Sequence, residues 1–306
     1  MKNKCNKKSL VSIGMPIFNG ETYLEEAIIS LLSQTYTNLE LVISDNCSND
    51  HTRDICLKYQ EKDHRVIYFR QDDKIDVEDN FQFVLERSTG DFFMWAADDD
   101  TWDREWIERL AYYVERNSSP AFGVVQYTDS YGNHINSTAN LIKFNFTSNY
   151  SLMRRLAFVY LPSVYGKMIL LWGMYPRELL MQKTIQGYKH NRDIGADLMW
   201  VFEMLSICRF YHTPGVVFYK RVHSGSDDAV TSNRVLLDRY MQRPLLRFMY
   251  KLHRVLLDIF TIKNFFAFYR YGDFRERLVF LGYFPFGYVV HVLKTIVLLL
   301  RYKLTK

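Results

Sequence analysis

The chain has 306 residues, 48% of them hydrophobic, and a formal net charge of +5; that length and composition suit one large α/β domain with an appendage or two modest domains, and exclude large-scale disorder. Its four cysteines, Cys5, Cys47, Cys56 and Cys208, show no CxxC spacing and no clustering with histidine, which excludes a zinc module and a disulfide framework and fits a reducing compartment. The charge is unevenly divided, because residues 1–233 carry 25 Lys/Arg against 30 Asp/Glu while residues 234–306 carry 14 against 4, so an acidic body precedes a basic tail.

The N-terminal MKNKCNKK and the short apolar run after it mimic an export signal, but the run stops at Pro16, Asn19 and Glu21 and reads as a first strand. Strands are predicted over 10–15, 39–44, 66–69, 92–96 and 122–127, with helices starting near Glu21, Thr52, Val77 and Asp103. This βαβα order predicts a doubly wound, mainly parallel sheet spanning residues 1–127. Ligands of such sheets bind beyond the carboxyl ends of the strands, so the residues after each strand carry the argument. Residues 128–150, rich in Asn, Ser, Thr and Gly, read as a loop or hairpin near an acceptor, and a polar loop over 222–232 is placed to close over substrate. Residues 128–233 are read as the second half of the same domain.

After the first strand come Pro16, Ile17, Phe18, Asn19, Gly20 and Glu21, a rigid turn with an aromatic face and two polar side chains. The spacing of a phosphate-binding glycine loop is missing. Asp45 sits directly on the second strand end, placed to accept hydrogen bonds from a base or ribose, whereas Asp50 and Thr52 read as caps of the next helix. The apolar fourth strand runs into Ala97, Asp98, Asp99 and Asp100. Three adjacent carboxylates at a buried strand end repel one another, and a cation is the simplest compensator. Oxygen ligands of this kind suit Mg²⁺ or Mn²⁺. The competing reading is a solvated acidic turn that caps the helix at Asp103.

Together and in this order, these strand ends resemble the family 2 glycosyltransferases, inverting nucleotide-sugar enzymes with the GT-A fold. The matching stretch runs from Val11 to Leu110 and includes IGMPIFNGETYLEEAI, LLSQTY, LELVISDNCSNDHT, YFRQ, NFQFVL and WAADDDTW. The resemblance implies that Pro16, Phe18, Asn19, Glu21 and Asp45 hold the nucleotide, that Asp98 contacts the ribose side of the donor, and that Asp99 ligates the metal bridging the diphosphate. This chain departs from the family pattern in three places: Ala97 stands at the first acidic position of a DxD, Lys74-Ile75-Asp76 replaces an Asn-x-Gly, and His51 replaces a glycine. A weaker match follows through GADLMWVFEML and FYKRVHSGSDD. It implies Asp197 as the catalytic base, against its alternative role as an acid at a helix N-terminus. It also implies Arg221 and His223 near the donor diphosphate, where cationic donors stabilise departing charge.

In the tail, Arg239, Arg243, Arg247 and Lys251 recur every four residues and form one stripe on a helix, interrupted or restarted at Pro244. Residues 278–300 are long enough to cross a ~30 Å hydrocarbon core, but Pro285, His291 and Lys294 interrupt them. The tail, residues 234–306, is therefore expected to lie on a membrane surface, placing the enzyme on the cytoplasmic face of the cell membrane. Its other reading is packing on the catalytic domain or on a second copy, a homo-oligomer; a nucleic-acid partner is excluded by the long aliphatic runs. The function expected is transfer of a sugar from a nucleotide-sugar donor, UDP being the family's commonest base carrier, to a hydroxyl of a glycan or lipid-linked acceptor in surface polysaccharide assembly. Two rivals are a degenerate, non-catalytic nucleotide-binding scaffold and a sugar-phosphate nucleotidyltransferase, the latter opposed by the lack of a Gly-rich basic turn after the first strand.

Overall fold

The computed structural model describes residues 8–135, 146–160, 167–182 and 196–223. Strands β1 (Val11–Ile17), β2 (Leu39–Asp45), β3 (Val66–Arg70) and β4 (Phe92–Trp95) alternate with helices α1 (Leu24–Leu32), α2 (Thr52–Lys62) and α3 (Val77–Arg87). Every residue of β2 and all but Pro16 of β1 are buried, as expected of parallel strands covered on both faces. The sheet order is β3-β2-β1-β4-β7, with the first four strands parallel. The edge strand β7 (Tyr175–Pro176) runs antiparallel to β4, and Pro176, which has no N–H to give, suits an edge.

Register positions the site. β1 pairs with β2 through Ile17–Asp45, whereas its last pair with β4 is Gly14–Trp95. β4 therefore leaves the sheet three residues before β1 does, and the acidic segment after it turns alongside the free end of β1.

The predicted strand at 122–127 is present as β6 (Ala121–Thr128), but it does not belong to the main sheet. It pairs in parallel with β8 (Tyr211–Arg221), whose other edge takes β5 (Thr101–Trp102) in antiparallel fashion. The eleven-residue β8 offers a longer partner than the four-residue β4, whose edge is occupied by β7. The doubly wound sheet is thus shorter than predicted, and a second, three-stranded sheet ties residues 101–128 to residues 211–221.

Helix α4 (Trp106–Asn117) buries Trp106, Ile107, Leu110, Ala111 and Val114, one stripe at helical spacing. Helix α7 (Ala196–Ile207) is buried nearly all round, at Met199, Trp200, Val201, Phe202, Met204 and Leu205, and packs on α5 (Ser151–Tyr160). Short α6 (Arg177–Met181) follows β7. Trp200 meets Trp95 at 5.4 Å and Tyr175 at 5.5 Å between ring centroids, joining α7 to the end of β4. Among the described residues no helix is long and apolar enough to cross a membrane. The basic tail, with Arg239, Arg243, Arg247 and Lys251, lies outside the described residues, as does most of the polar loop at 222–232.

Candidate active site

The turns after β1 and β2 interlock. Asn19 adopts a left-handed φ of 55°, a conformation that asparagine tolerates better than most residues. Its backbone N–H donates to Ser48 Oγ (2.9 Å), and its side-chain oxygen accepts from the Asn49 N–H (3.0 Å). Gly20 N–H donates to Thr52 Oγ1 (2.8 Å) and Glu21 N–H to Asp50 Oδ2 (3.1 Å), while Glu21 Oε2 accepts from the His51 N–H (2.9 Å). Asp50 Oδ1 accepts from the Thr52 N–H (3.1 Å), which agrees with its expected capping role; the Thr52 hydroxyl instead accepts from Gly20 across the turn. The effect is a floor whose backbone is held by side chains on both sides, with Pro16 half-buried and Phe18 42% exposed above it.

Asp45 is fully buried. Its Oδ1 accepts from the Ser48 N–H (2.8 Å), and its Oδ2 accepts from the Tyr68 hydroxyl (2.8 Å) and from Arg70 Nη1 (2.7 Å), so the carboxylate expected to face a base or ribose is already engaged by three protein donors. Its work in the structure is to orient Tyr68 and Arg70 at the end of β3. Burial and the Asp45 carboxylate push the Tyr68 phenol above its ordinary value, so it stays protonated as a donor. Tyr68 and Arg70 were missed by the sequence reading, although their i, i+2 spacing on a strand that ends at the ligand edge places both on one face.

Beside this cradle, Asn46 uses its side-chain amide like a strand partner, donating to Ile75 O (2.9 Å) and accepting from the Ile75 N–H (2.9 Å). Gln71 N–H donates to Asp45 O (2.9 Å) and its side chain to Ser44 Oγ (2.9 Å). The segment that departs from the family pattern is therefore firmly held. It carries Lys74, whose Nζ lies 3.6 Å from the centroid of the Phe18 ring.

The acidic run after β4 is not a solvated turn. Asp98 lies against Gly20, where any Cβ would overlap its carboxylate oxygen. Burial, with Asp99 nearby, pushes its pKa up to about 7. Asp100 is fully buried, accepts the Arg221 N–H on Oδ1 (2.8 Å), and has no partner for Oδ2. Burial pushes it up to about 8, against the pull of Lys220 and with the push of Asp99. Asp103, where a helix was expected to start, lies before α4 and holds β8, accepting from the Val217 N–H (2.7 Å) and the Tyr219 hydroxyl (2.9 Å).

Asp99 sits between these groups with its side chain 20% exposed, and its Oδ2 is 3.0 Å from His223 Nε2. The His223 ring packs on Tyr23 at 4.9 Å. The fold thus brings His223 onto Asp99, beside Asp98. Arg221 differs from expectation. It is 4% exposed, and its guanidinium donates to Asp99 O (2.9 Å), Ser130 O (3.1 Å) and Glu26 Oε2 (2.6 Å) while lying 4.6 Å over the Tyr23 ring. Each of its side-chain nitrogens donates to a protein oxygen, which braces it behind Asp99. Glu26, Ser130 and Tyr23, its partners, carried no signal in the sequence, because only the fold brings them to residue 221.

Asp197 lies in the first turn of α7, partly buried, one helical turn before Trp200, whose ring packs on the end of β4. Residues three apart share a helix face, so Asp197 lies on the face of α7 that carries Trp200. Glu203, a second acid on this helix, is paired with Arg155 at 2.9 Å in the interior.

Among the described residues no group of three or more His, Cys, Asp and Glu side chains gathers as a metal site. A divalent cation bound through one or two protein ligands, with water and phosphate completing its shell, needs less. Asp99, half of whose carboxylate is free of hydrogen bonds among the described residues, and His223 fit that smaller requirement. The crowded carboxylates of Asp98 and Asp100, one with an orphaned buried oxygen, fit the presence of a positive charge there.

Comparison with known proteins agrees with this geometry. The family described as Glycosyl transferase family 2 matches residues 12–172. A Bacillus subtilis protein named as a teichuronic acid biosynthesis glycosyltransferase, TuaG, is 34% identical over 120 residues, covering 38% of this chain and 47% of that one. An uncharacterized glycosyltransferase of Haemophilus influenzae is 29% identical over 138 residues, covering 45% of this chain and 55% of its own. The chain thus spans about half the length of each of these relatives. In fold it is similar to S. aureus TarS (TM-score 0.53, 18% identity, 87% of this chain and 46% of that one), and to TarS 1-349 in complex with UDP-GlcNAc (TM-score 0.52, 17% identity, 88% and 77%).

Proposed function

The chain belongs to Glycosyl transferase family 2, and on that premise we propose that it moves a sugar from a nucleoside diphosphate donor, UDP first among them, to a hydroxyl of a glycan or lipid-linked acceptor. The observation that carries this reading is the placement of Asp98 and Asp99 beside the interlocked turns of β1 and β2, with His223 brought onto Asp99 from the far end of the chain. Likeness to a structure solved with UDP-GlcNAc supports a nucleotide-sugar donor, and the TuaG relative supports a role in polysaccharide assembly.

In this reading Phe18, Pro16 and the Asp45-held pair Tyr68 and Arg70 line the nucleotide end. Asn19 and Glu21 keep the turn beneath it in shape, and Asp98 faces the ribose. Asp99 and His223 would hold Mn²⁺ or Mg²⁺, which when bound neutralises charge on the diphosphate as it leaves. Asp197 takes the proton from the acceptor hydroxyl while that oxygen attacks the anomeric carbon from the face opposite the diphosphate. A single displacement inverts the configuration, and no covalent enzyme intermediate forms. Incubation of the full chain with UDP-sugars tests the reading: donor hydrolysis or transfer is expected with Mn²⁺ and not after EDTA. No turnover of any nucleotide-sugar under either condition would reject it in favour of a scaffold.

Placement on the cytoplasmic face of a membrane through residues 234–306 belongs to the same proposal. The excess of basic over acidic residues in that segment supports it. The full chain should float with anionic liposomes at low salt and a chain ending at Asn233 should not; equal behaviour would remove the membrane claim and leave the enzyme reading intact.

A further inference from the structure

Lys74 is the one part of the donor end that no role above absorbs. Its ammonium sits 3.6 Å from the centroid of Phe18, which is contact distance over the exposed face of that ring. The two residues meet because two loops are each pinned: Phe18 by the hydrogen bonds of Asn19 and Gly20 to the β2 turn, Lys74 by the paired bonds of Asn46 to Ile75. The Asp45 carboxylate is already matched by Arg70 at 2.7 Å. The Lys74 ammonium has no hydrogen-bond acceptor among the described residues, so its three N–H donors are unspent. A planar base stacking on the free face of Phe18 would meet that ammonium, replace it on the ring and leave it tethered at the base's edge.

We propose that Lys74 is a specificity-determining residue that reads the base of the donor at the one ring position where uracil carries a carbonyl oxygen and cytosine an amino group, favouring the carbonyl. An ammonium donates and cannot accept. Uracil presents a carbonyl on each side of its ring N–H, whereas cytosine replaces one of them with an amino group that faces the lysine donor to donor. Selection arises from the mismatch, because an amino group brought against an ammonium leaves both without acceptors.

The inference rests on the nucleotide-sugar reading, and the experiment separates the two. Binding of UDP and CDP to the full chain with Mn²⁺ is measured by calorimetry for the native protein, Lys74→Met and Lys74→Arg. Because Lys74 is exposed, both variants should fold, which thermal unfolding checks. The native protein should prefer UDP, Lys74→Met should lose roughly tenfold or more in UDP affinity with little change for CDP, and Lys74→Arg, which keeps the donors and the charge, should retain the preference. Equal weakening of UDP and CDP in Lys74→Met would overturn base reading and leave a phosphate contact; unchanged UDP affinity would overturn any role. Failure of the native protein to bind either nucleotide would reject the donor reading itself, and this inference with it.

Discussion

Replacing Gly20 by alanine should act on Asp98 and on little else. Gly20 carries no left-handed backbone angle, so alanine fits its conformation and would by itself stabilise the chain by about 0.4–1 kcal/mol through the unfolded state. The new methyl, however, would overlap the Asp98 carboxylate oxygen, with Cγ at 3.1 Å and Cβ at 3.4 Å. The carboxylate must swing away, and overpacking of this kind costs about 1–3 kcal/mol. The single variant should therefore lose stability, by up to about 2 kcal/mol, and should lose donor binding with it, because Asp98 no longer occupies its place. In an Asp98→Ala background only the 3.4 Å contact remains, an ordinary one, so Gly20→Ala should become neutral or mildly stabilising. A double-mutant cycle by urea unfolding at pH 8.5 reads the difference, expected at about 1–3 kcal/mol. Equal destabilisation in both backgrounds would refute the argument, since the clash would then lie with something other than Asp98.

Three further outcomes follow from the same geometry. Arg221→Met should cost about 2–4 kcal/mol in urea unfolding, because it strips donors from Asp99 O and Ser130 O in a buried setting, whereas Glu26→Gln, at a side chain that is 59% exposed, should cost well under 1 kcal/mol. Asp98 and Asp100 have folded-state pKa values above the ordinary carboxylate value, so the folded chain binds more protons than the unfolded one between about pH 4 and pH 8, and stability should fall as pH rises through that window. Asp98→Asn should flatten the slope in urea titrations at pH 5, 7 and 9; an unchanged slope would show that Asp98 ionises normally. Asp197→Asn should lower turnover by about 10² to 10⁴ with donor affinity kept, and a variant that lost donor affinity at unchanged turnover would move the base elsewhere.

The parallel core was legible because its strands are continuous apolar runs between helices of clear period, and the strand-end rule then pointed to residues 16–21, 45 and 98–100. What sequence could not give was pairing between distant segments. Nothing local in 122–127 says that its partner is 211–221 and not the strand before it, so the second sheet was read as part of the first. The same limit explains Arg221. Its neighbours in sequence suggested a cation in a loop near phosphate, but its three acceptors lie at residues 26, 99 and 130, and only the folded chain shows that they hold it. Asp45 was read at the end of the second strand, where β2 has it, yet its engagement by Tyr68 and Arg70 depends on the register of β3 against β2.

The reach of residue 221 also bears on the order in which the molecule assembles. Its bonds to Glu26 and Asp99 span 195 and 122 residues, and β5 and β6 have no strand partner in the three-stranded sheet other than β8. During synthesis the parallel core can close on contacts between near neighbours, while the acidic segment waits for the last described strand to supply its backbone donor and its imidazole. Long-range closures of this kind are the slow ones. The interlocked turns after β1 and β2 are thus set early and the contacts of Asp99 and Asp100 late, so a chain arrested before residue 211 would hold those turns without Arg221 and His223.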